Sequence, residues 1–247
     1  MNRFGLSGLA VLVFSTQQLV AQPVIETFDR FEMNWSTMKL RYFGESAVGK
    51  TLDLAEKEAT DQGLLYALAN VPKIRTEKGV PVENAGDIAN AVTKQSYAYN
   101  TVYFSNGKVR VELESSLALA LDPGRKPFTP KAVEGGESGS GNQSVVVEVS
   151  GASSPTLIKE IVDSSGELAY SSQDVSPEAY RKSLTGRWFY PNSSELKSFA
   201  GDQAIRVKAS FQNGKLVVDK AAWEEARSRA SKSLADGRVA FVLSSTN

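Results

Sequence analysis

From Asp122 to Asn142 this sequence runs through three prolines and then Gly-Gly-Glu-Ser-Gly-Ser-Gly-Asn. Such a stretch cannot feed a strand or a helix into a core, because proline removes backbone donors and glycine and serine leave the chain free. The tract therefore divides the sequence. We expect a first unit over residues 22–131, a linker over 132–143 and a second unit over 144–247.

The first 21 residues have a different grammar. Met1-Asn2-Arg3 carries one positive charge, Phe4 to Val13 is a short apolar run, and Leu19-Val20-Ala21 ends on a small residue. That order matches a secretory signal peptide cleaved after Ala21. Ser15 to Gln18 interrupts the apolar run well before the ~20 residues needed to span a bilayer. The expectation is a periplasmic or secreted protein with no transmembrane segment once the leader is gone.

Composition narrows the chemistry further. Lys and Arg number 28 against 28 Asp and Glu, so no basic field exists to hold nucleic acid. There is no His and no Cys. A thiolate nucleophile, a disulfide and a thiolate metal site are excluded, and so is the imidazole that most often serves as general base or metal ligand. We expect a non-enzymatic protein with no cofactor and no metal.

Periodicity places the elements. Lys39 to Phe43 alternates as a strand, and Gly49 to Asn70 reads as a helix with Ala55, Ala59, Gly63 and Ala67 on one face beside Leu52, Leu64, Leu65 and Leu68. A shorter helix covers Gly86 to Gln95. Tyr97–Phe104 and Lys108–Leu119 are strands, and Asn106-Gly107 between them predicts a type I′ turn. Tyr97, Tyr99 and Tyr103 should share one strand face as sheet packing. In the second unit, Ser144–Val149, Thr156–Val162, Glu167–Tyr170, Gln203–Phe211, Lys215–Val218 and Arg238–Leu243 read as strands. Ser176-Pro177 opens a short helix, and Asp219 caps one running to about Leu234, with Trp223, Ala226, Ala230 and Leu234 inward. The fold class is α+β: two small domains, each a mainly antiparallel sheet packed by helices.

Gly44-Glu45-Ser46-Ala47-Val48-Gly49-Lys50-Thr51 fits the phosphate-loop pattern without mismatch, between a strand and a helix. In that reading Gly44, Gly49, Lys50 and Thr51 would bind a nucleotide and Mg²⁺. Export and an antiparallel hairpin downstream argue for a plain glycine turn with a solvated lysine. Glu56, Glu58, Asp61, Glu224 and Glu225 read as solvated helix faces. Arg187, Trp188, Phe189 and Tyr190 concentrate aromatic surface beside Pro191. They either pack a core or form a patch for a partner or a glycan.

The succession of Asn34-Trp35-Ser36, the Ala55–Ala59 helix, the tyrosine-rich strand, the Asn106-Gly107-Lys108-Val109-Arg110-Val111 hairpin, Gly166-Glu167-Leu168-Ala169-Tyr170 and Gly237-Arg238-Val239-Ala240-Phe241-Val242 resembles the LPP-twenty lipoprotein-like family of bacterial envelope proteins. A related domain occurs in a flagellar basal-body ring protein. The resemblance implies an envelope-associated protein acting by protein–protein contact, with other envelope proteins, flagellar or outer-membrane components as partners. It carries no catalytic residues. Without a cysteine, the family's lipid anchor does not transfer. The expected contact surfaces are the sheet edges and the segment around Trp188.

Overall fold

The computed structural model describes residues 22–121 and 143–243. The leader and most of the linker lie outside the described residues. Before the linker come β1 (Ile25–Phe28), β2 (Phe31–Asn34), β3 (Lys39–Glu45), α1 (Leu52–Asn70), α2 (Ala85–Lys94), β4 (Tyr97–Tyr103), β5 (Val109–Ser116) and the one-turn α3 (Leu117–Ala120). After it come β6 (Val145–Ser150), β7 (Glu160–Asp163), β8 (Leu168–Ser171), α4 (Pro177–Ser183), β9 (Arg187–Phe189), α5 (Ser194–Ala200), β10 (Ile205–Gln212), β11 (Lys215–Val218), α6 (Lys220–Ala235) and β12 (Val239–Leu243). The class is α+β, with two sheets packed by helices.

The first sheet has the order β1-β2-β3-β5-β4 and is antiparallel throughout. Leu40 and Tyr42 of β3 and Val109, Val111 and Leu113 of β5 point to the side where α1 lies and are buried. Ala55, Ala59, Gly63 and Ala67 of α1 are buried as the i+4 stripe predicts. The leucines beside that stripe are a correction. Leu52, Leu65 and Leu68 are exposed, and only Leu64 packs against the core. The helix meets the sheet through small residues and lies too close for leucine to fit between.

Gly44 and Gly63 set that distance. A Cβ on Gly44 would sit 2.0 Å from the Ala59 carbonyl oxygen and 2.4 Å from the Gly63 nitrogen. Both obstacles are backbone, so neither can swing aside.

The second sheet has the order β8-β7-β11-β10-β6-β12-β9. The hairpins β7–β8 and β10–β11 are antiparallel as expected. The pairs β10–β6, β11–β7, β12–β6 and β12–β9 are parallel, so this sheet is mixed rather than mainly antiparallel. The reason is connectivity. Helix α5 carries the chain from β9 across the sheet to β10 in the same direction, as a crossover does, whereas α6 joins β11 to β12, which run oppositely. The parallel neighbours are all strands that are not consecutive in the sequence. Valines 145, 147 and 149 face the main core, while Val146, Ala240 and Val242 pack under α5 with Phe189 and Leu196.

Local cap and turn signals hold at some positions and give way at others. Asp219 caps α6, its Oδ1 accepting from Ala222 N–H at 2.9 Å, and Ser176 caps α4 through Ala179 N–H. At Asn213-Gly214 both residues have positive φ, the type I′ geometry. At Asn106-Gly107 only Gly107 does. Gly107 N–H bonds back to the Phe104 carbonyl and Phe104 N–H to Lys108 O, a three-residue loop instead of the expected type I′ turn. The strand expected to run to Leu119 stops at Ser116, whose Oγ caps α3. Strand β7 starts at Glu160 rather than Thr156, and α5, capped by Ser193, is an additional helix beyond the expected elements.

The close helix–strand approach makes a testable contrast between the two glycines of the phosphate-loop lookalike. Gly44→Ala should lower unfolding free energy by roughly 3 kcal/mol, the upper range for overpacking. Gly49 has open space around it but φ +81, so Gly49→Ala should cost only about 1 kcal/mol through backbone strain. Urea unfolding of both variants measures the difference.

Candidate functional site

Because α1 and α2 cover one side of the first sheet, the other side is left to solvent. Antiparallel sheets tolerate this when the outward residues are polar. Here they form interleaved rows of charge and aromatic carbon. Lys39, Arg41, Phe43 and Glu45 lie along β3, with Arg110, Glu112 and Glu114 along β5. Arg41 stands over the Tyr99 ring at 5.2 Å, Arg110 over Phe43 at 4.5 Å and over Phe104 at 5.5 Å, and Arg30 over Phe43 at 5.5 Å. Such cation–aromatic contacts draw the guanidinium groups onto the ring faces of the sheet surface.

Glu114 anchors the face. It accepts from Lys39 Nζ at 2.6 Å, Arg41 Nε at 2.9 Å and Tyr97 Oη at 2.5 Å. Burial works to raise its pKa, but the hydrogen bonds from Lys39, Tyr97 and Arg41 outweigh burial and hold it at about 2. Arg110 is likewise engaged by Glu45 at 2.6 Å.

The strand β4 forms the rim. The three tyrosines do not share one face as alternation suggested. A bulge between Ala98 and Asn100 resets the register. Tyr97 and Tyr99 consequently reach Glu114 and Arg41 on the open face, while Tyr103 turns to the helix side and donates its hydroxyl to Glu56 of α1 at 2.7 Å. All three remain exposed, at 53%, 44% and 57%. They are surface rather than sheet packing.

The phosphate-loop lookalike is occupied from within. Glu58, on the second turn of α1, bonds Lys50 Nζ at 2.7 Å and Ala47 N–H at 2.7 Å. Ser46 N–H bonds the Val109 carbonyl, and Ser46 Oγ accepts from Val109 N–H. The lysine is therefore paired instead of solvated, and Glu58 does the job of the pairing. Both neighbours of β3 are antiparallel, so the parallel frame of a phosphate loop does not surround Gly44, Gly49, Lys50 and Thr51. Gly44 sits inside β3 under α1.

The segment Arg187-Trp188-Phe189-Tyr190 also differs from a contact patch. Trp188 is fully buried, its indole N–H bonding the Thr156 carbonyl at 2.6 Å and its ring against Phe241 at 5.4 Å. Phe189 is buried against Phe199, Arg187 is half-buried with its guanidinium on the Phe199 ring, and only Tyr190 is exposed. A ring enclosed on both faces cannot stack on a glycan. Its backbone instead ties the two halves: Trp188 N–H bonds Trp35 O at 3.2 Å, and Ser36 Oγ donates to Trp188 O at 2.7 Å.

A second tie joins Thr76 to Leu157 as a parallel bridge, with Leu157 N–H to Arg75 O at 2.8 Å and Glu77 N–H to Leu157 O at 3.0 Å. Glu77 is buried there. Its Oε2 accepts from Lys159 N–H and its Oε1 has no partner. Burial pushes its pKa up, against the backbone bonds that lower it. Beside this tie lies a cleft of about 620 Å³, floored by Ile88, Leu157, Ile158 and Leu184 and rimmed by Asp87 and Lys159. Among the described residues no group of His, Cys, Asp and Glu is placed for a metal, and no helix is long and apolar enough to cross a membrane.

Glu114 and Glu77 should pull stability in opposite directions with pH. Glu114 is depressed, so its contribution is present above about 4.5 and lost as pH falls towards 2. Glu77 is raised, so the folded state takes up its proton first and gains stability as pH falls through the folded pKa towards 4.5. Chemical denaturation from pH 8 to 2.5 should show a shallower acid loss in Glu114→Gln and no gain above pH 4.5 in Glu77→Gln, relative to the parent. No protein-family model and no curated protein sequence matches this chain.

Proposed function

We propose that the chain is an exported envelope protein that works without catalysis, by holding other proteins on the bare face and rim of its first sheet. The observation that carries this reading is the exposure of Tyr97 and Tyr99 beside a grid of arginines that their own carboxylates and rings already hold in place. Tyrosine and arginine are the residues that contribute most to protein contacts, and preorganised side chains lose little entropy on docking. Leu65 and Leu68 on the outer side of α1 add exposed apolar surface to the same half.

The leader pattern, the balanced charge and the lack of His and Cys support the same reading. The resemblance to envelope lipoprotein-like proteins suggests flagellar-ring or outer-membrane components as partners. A second reading, binding of a small ligand, is favoured by the cleft between Ile88 and Leu184, not by the buried Trp188 segment.

A photo-reactive phenylalanine analogue at Tyr99 should cross-link envelope proteins in cells, and Tyr99→Glu should reduce their capture at least about tenfold, equivalent to ~1.4 kcal/mol. The mature chain should begin at Gln22. Unprocessed chain in the cytoplasm that binds Mg-ATP, with binding lost in Lys50→Ala, would overturn the proposal.

A further inference from the structure

Sheet edges invite pairing, and proteins usually blunt them with charge, proline, shortness or cover. Among the described residues there are four edges. β1 and β8 are four residues long. The outer edge of β9 is taken by Trp35 and Ser36 of the same chain. β4 is the remaining edge, seven residues long, and from Tyr97 to Phe104 it has no charged residue and no proline.

We propose that β4 pairs antiparallel with β4 of a second copy, about a two-fold axis at Val102. This inference rests on the contact reading above and names one partner for that rim. The bond from Phe104 N–H to Lys108 O fixes the alternation along the strand. Phe104 and Val102 turn their amides towards β5, so Thr101 and Tyr103 turn theirs outward. The bulge at Ala98–Asn100 ends the regular edge on the other side. The usable segment is thus centred on Val102.

An antiparallel copy places Thr101 opposite Tyr103 of its partner, twice, giving four backbone hydrogen bonds, with the two Val102 side chains facing each other. Charge permits the approach. Arg110, directly opposite Val102 on β5, is held by Glu45, and Glu56 holds the Tyr103 hydroxyl. The cation facing Val102 on the open face is thus paired within its own chain. The same neutral segment supplies both the donors and the acceptors, and a two-fold pairing closes without leaving a further edge to propagate.

The chain lacks cysteine, so one introduced thiol reports cleanly. Val102→Cys should oxidise to a disulfide-linked dimer at least about tenfold faster than Val48→Cys, placed on an exposed loop. Sedimentation of the parent should show a dimer fraction that rises with concentration, and Val102→Lys should be monomeric with unchanged circular dichroism and melting temperature. A parent that stays monomeric up to about 1 mM, the limit of a specific contact, or equal oxidation of the two cysteine variants, overturns self-pairing. If cross-linking from Tyr99 still captures envelope proteins in that case, the contact reading stands and only the second copy is rejected.

Discussion

The closest approach in the first half is a helix lying on a strand with only glycine between them. Gly44 and Gly63 let α1 settle against β3 until backbone meets backbone. Everything on that side follows from this distance. The stripe of alanines is the complement of a flat strand surface, the leucines flanking it are lifted into solvent, and the turn from β3 into α1 must be short. Glu58 closes that turn on Lys50 and the Ala47 amide. A motif that resembles a phosphate cradle is thereby explained by packing: one glycine for proximity, one for a positive φ, and a lysine paired with its own helix.

Covering one face so tightly leaves the other uncovered, and the two halves meet elsewhere. They are joined edge-on, through Trp35, Ser36 and Trp188 at one place and through Thr76, Glu77 and Leu157 at another. The first joins the β9 backbone to the Trp35 carbonyl and the Ser36 hydroxyl, and the second pairs backbone of two segments outside the named strands, so both satisfy groups that would be costly to bury unpaired. The buried core residues run continuously from Leu40 and Leu113 to Val147 and Phe241 across this junction. Glu77 is the weak point. A carboxylate with an unpartnered oxygen is held where charge is disfavoured, and the seam takes up a proton more readily than the unfolded chain does.

What the sequence disclosed was whatever repeats locally. The i+4 alanines, the Asp219 and Ser176 caps and the Asn213-Gly214 turn needed no knowledge of partners distant in the chain. The failures share one cause. Tyr97, Tyr99 and Tyr103 alternate without fault, yet a single extra residue at the bulge moves Tyr103 to the opposite face. Trp188 could be read as a patch because its enclosure comes from Thr156, Phe241 and a segment 152 residues away. The parallel pairings of β6 with β10 and β12 depend on which way crossovers wrap, and no local window contains that order. On the open face, Glu114 gave no signal, since a glutamate in an alternating strand looks solvated until Lys39, Arg41 and Tyr97 converge on it.

That convergence bears on how such a surface can choose a partner. Lys39, Arg41, Lys50 and Arg110 are each paired with Glu114, Glu58 or Glu45, and Arg30 lies over a ring. With 28 cations against 28 anions in the whole chain, little field extends beyond a Debye length to steer an approaching charge. Discrimination must then come at contact, from the shape of stacked tyrosine and guanidinium planes and from the spacing of unpaired amides along β4. A carboxylate from a partner would have to displace an internal one at similar geometry, which gains little. A neutral strand meets no such competitor at the rim, because the outward amides of Thr101 and Tyr103 face away from β5 on the edge of the sheet. The physics of the first half thus favours backbone pairing over charge as the means by which the proposed contact would form.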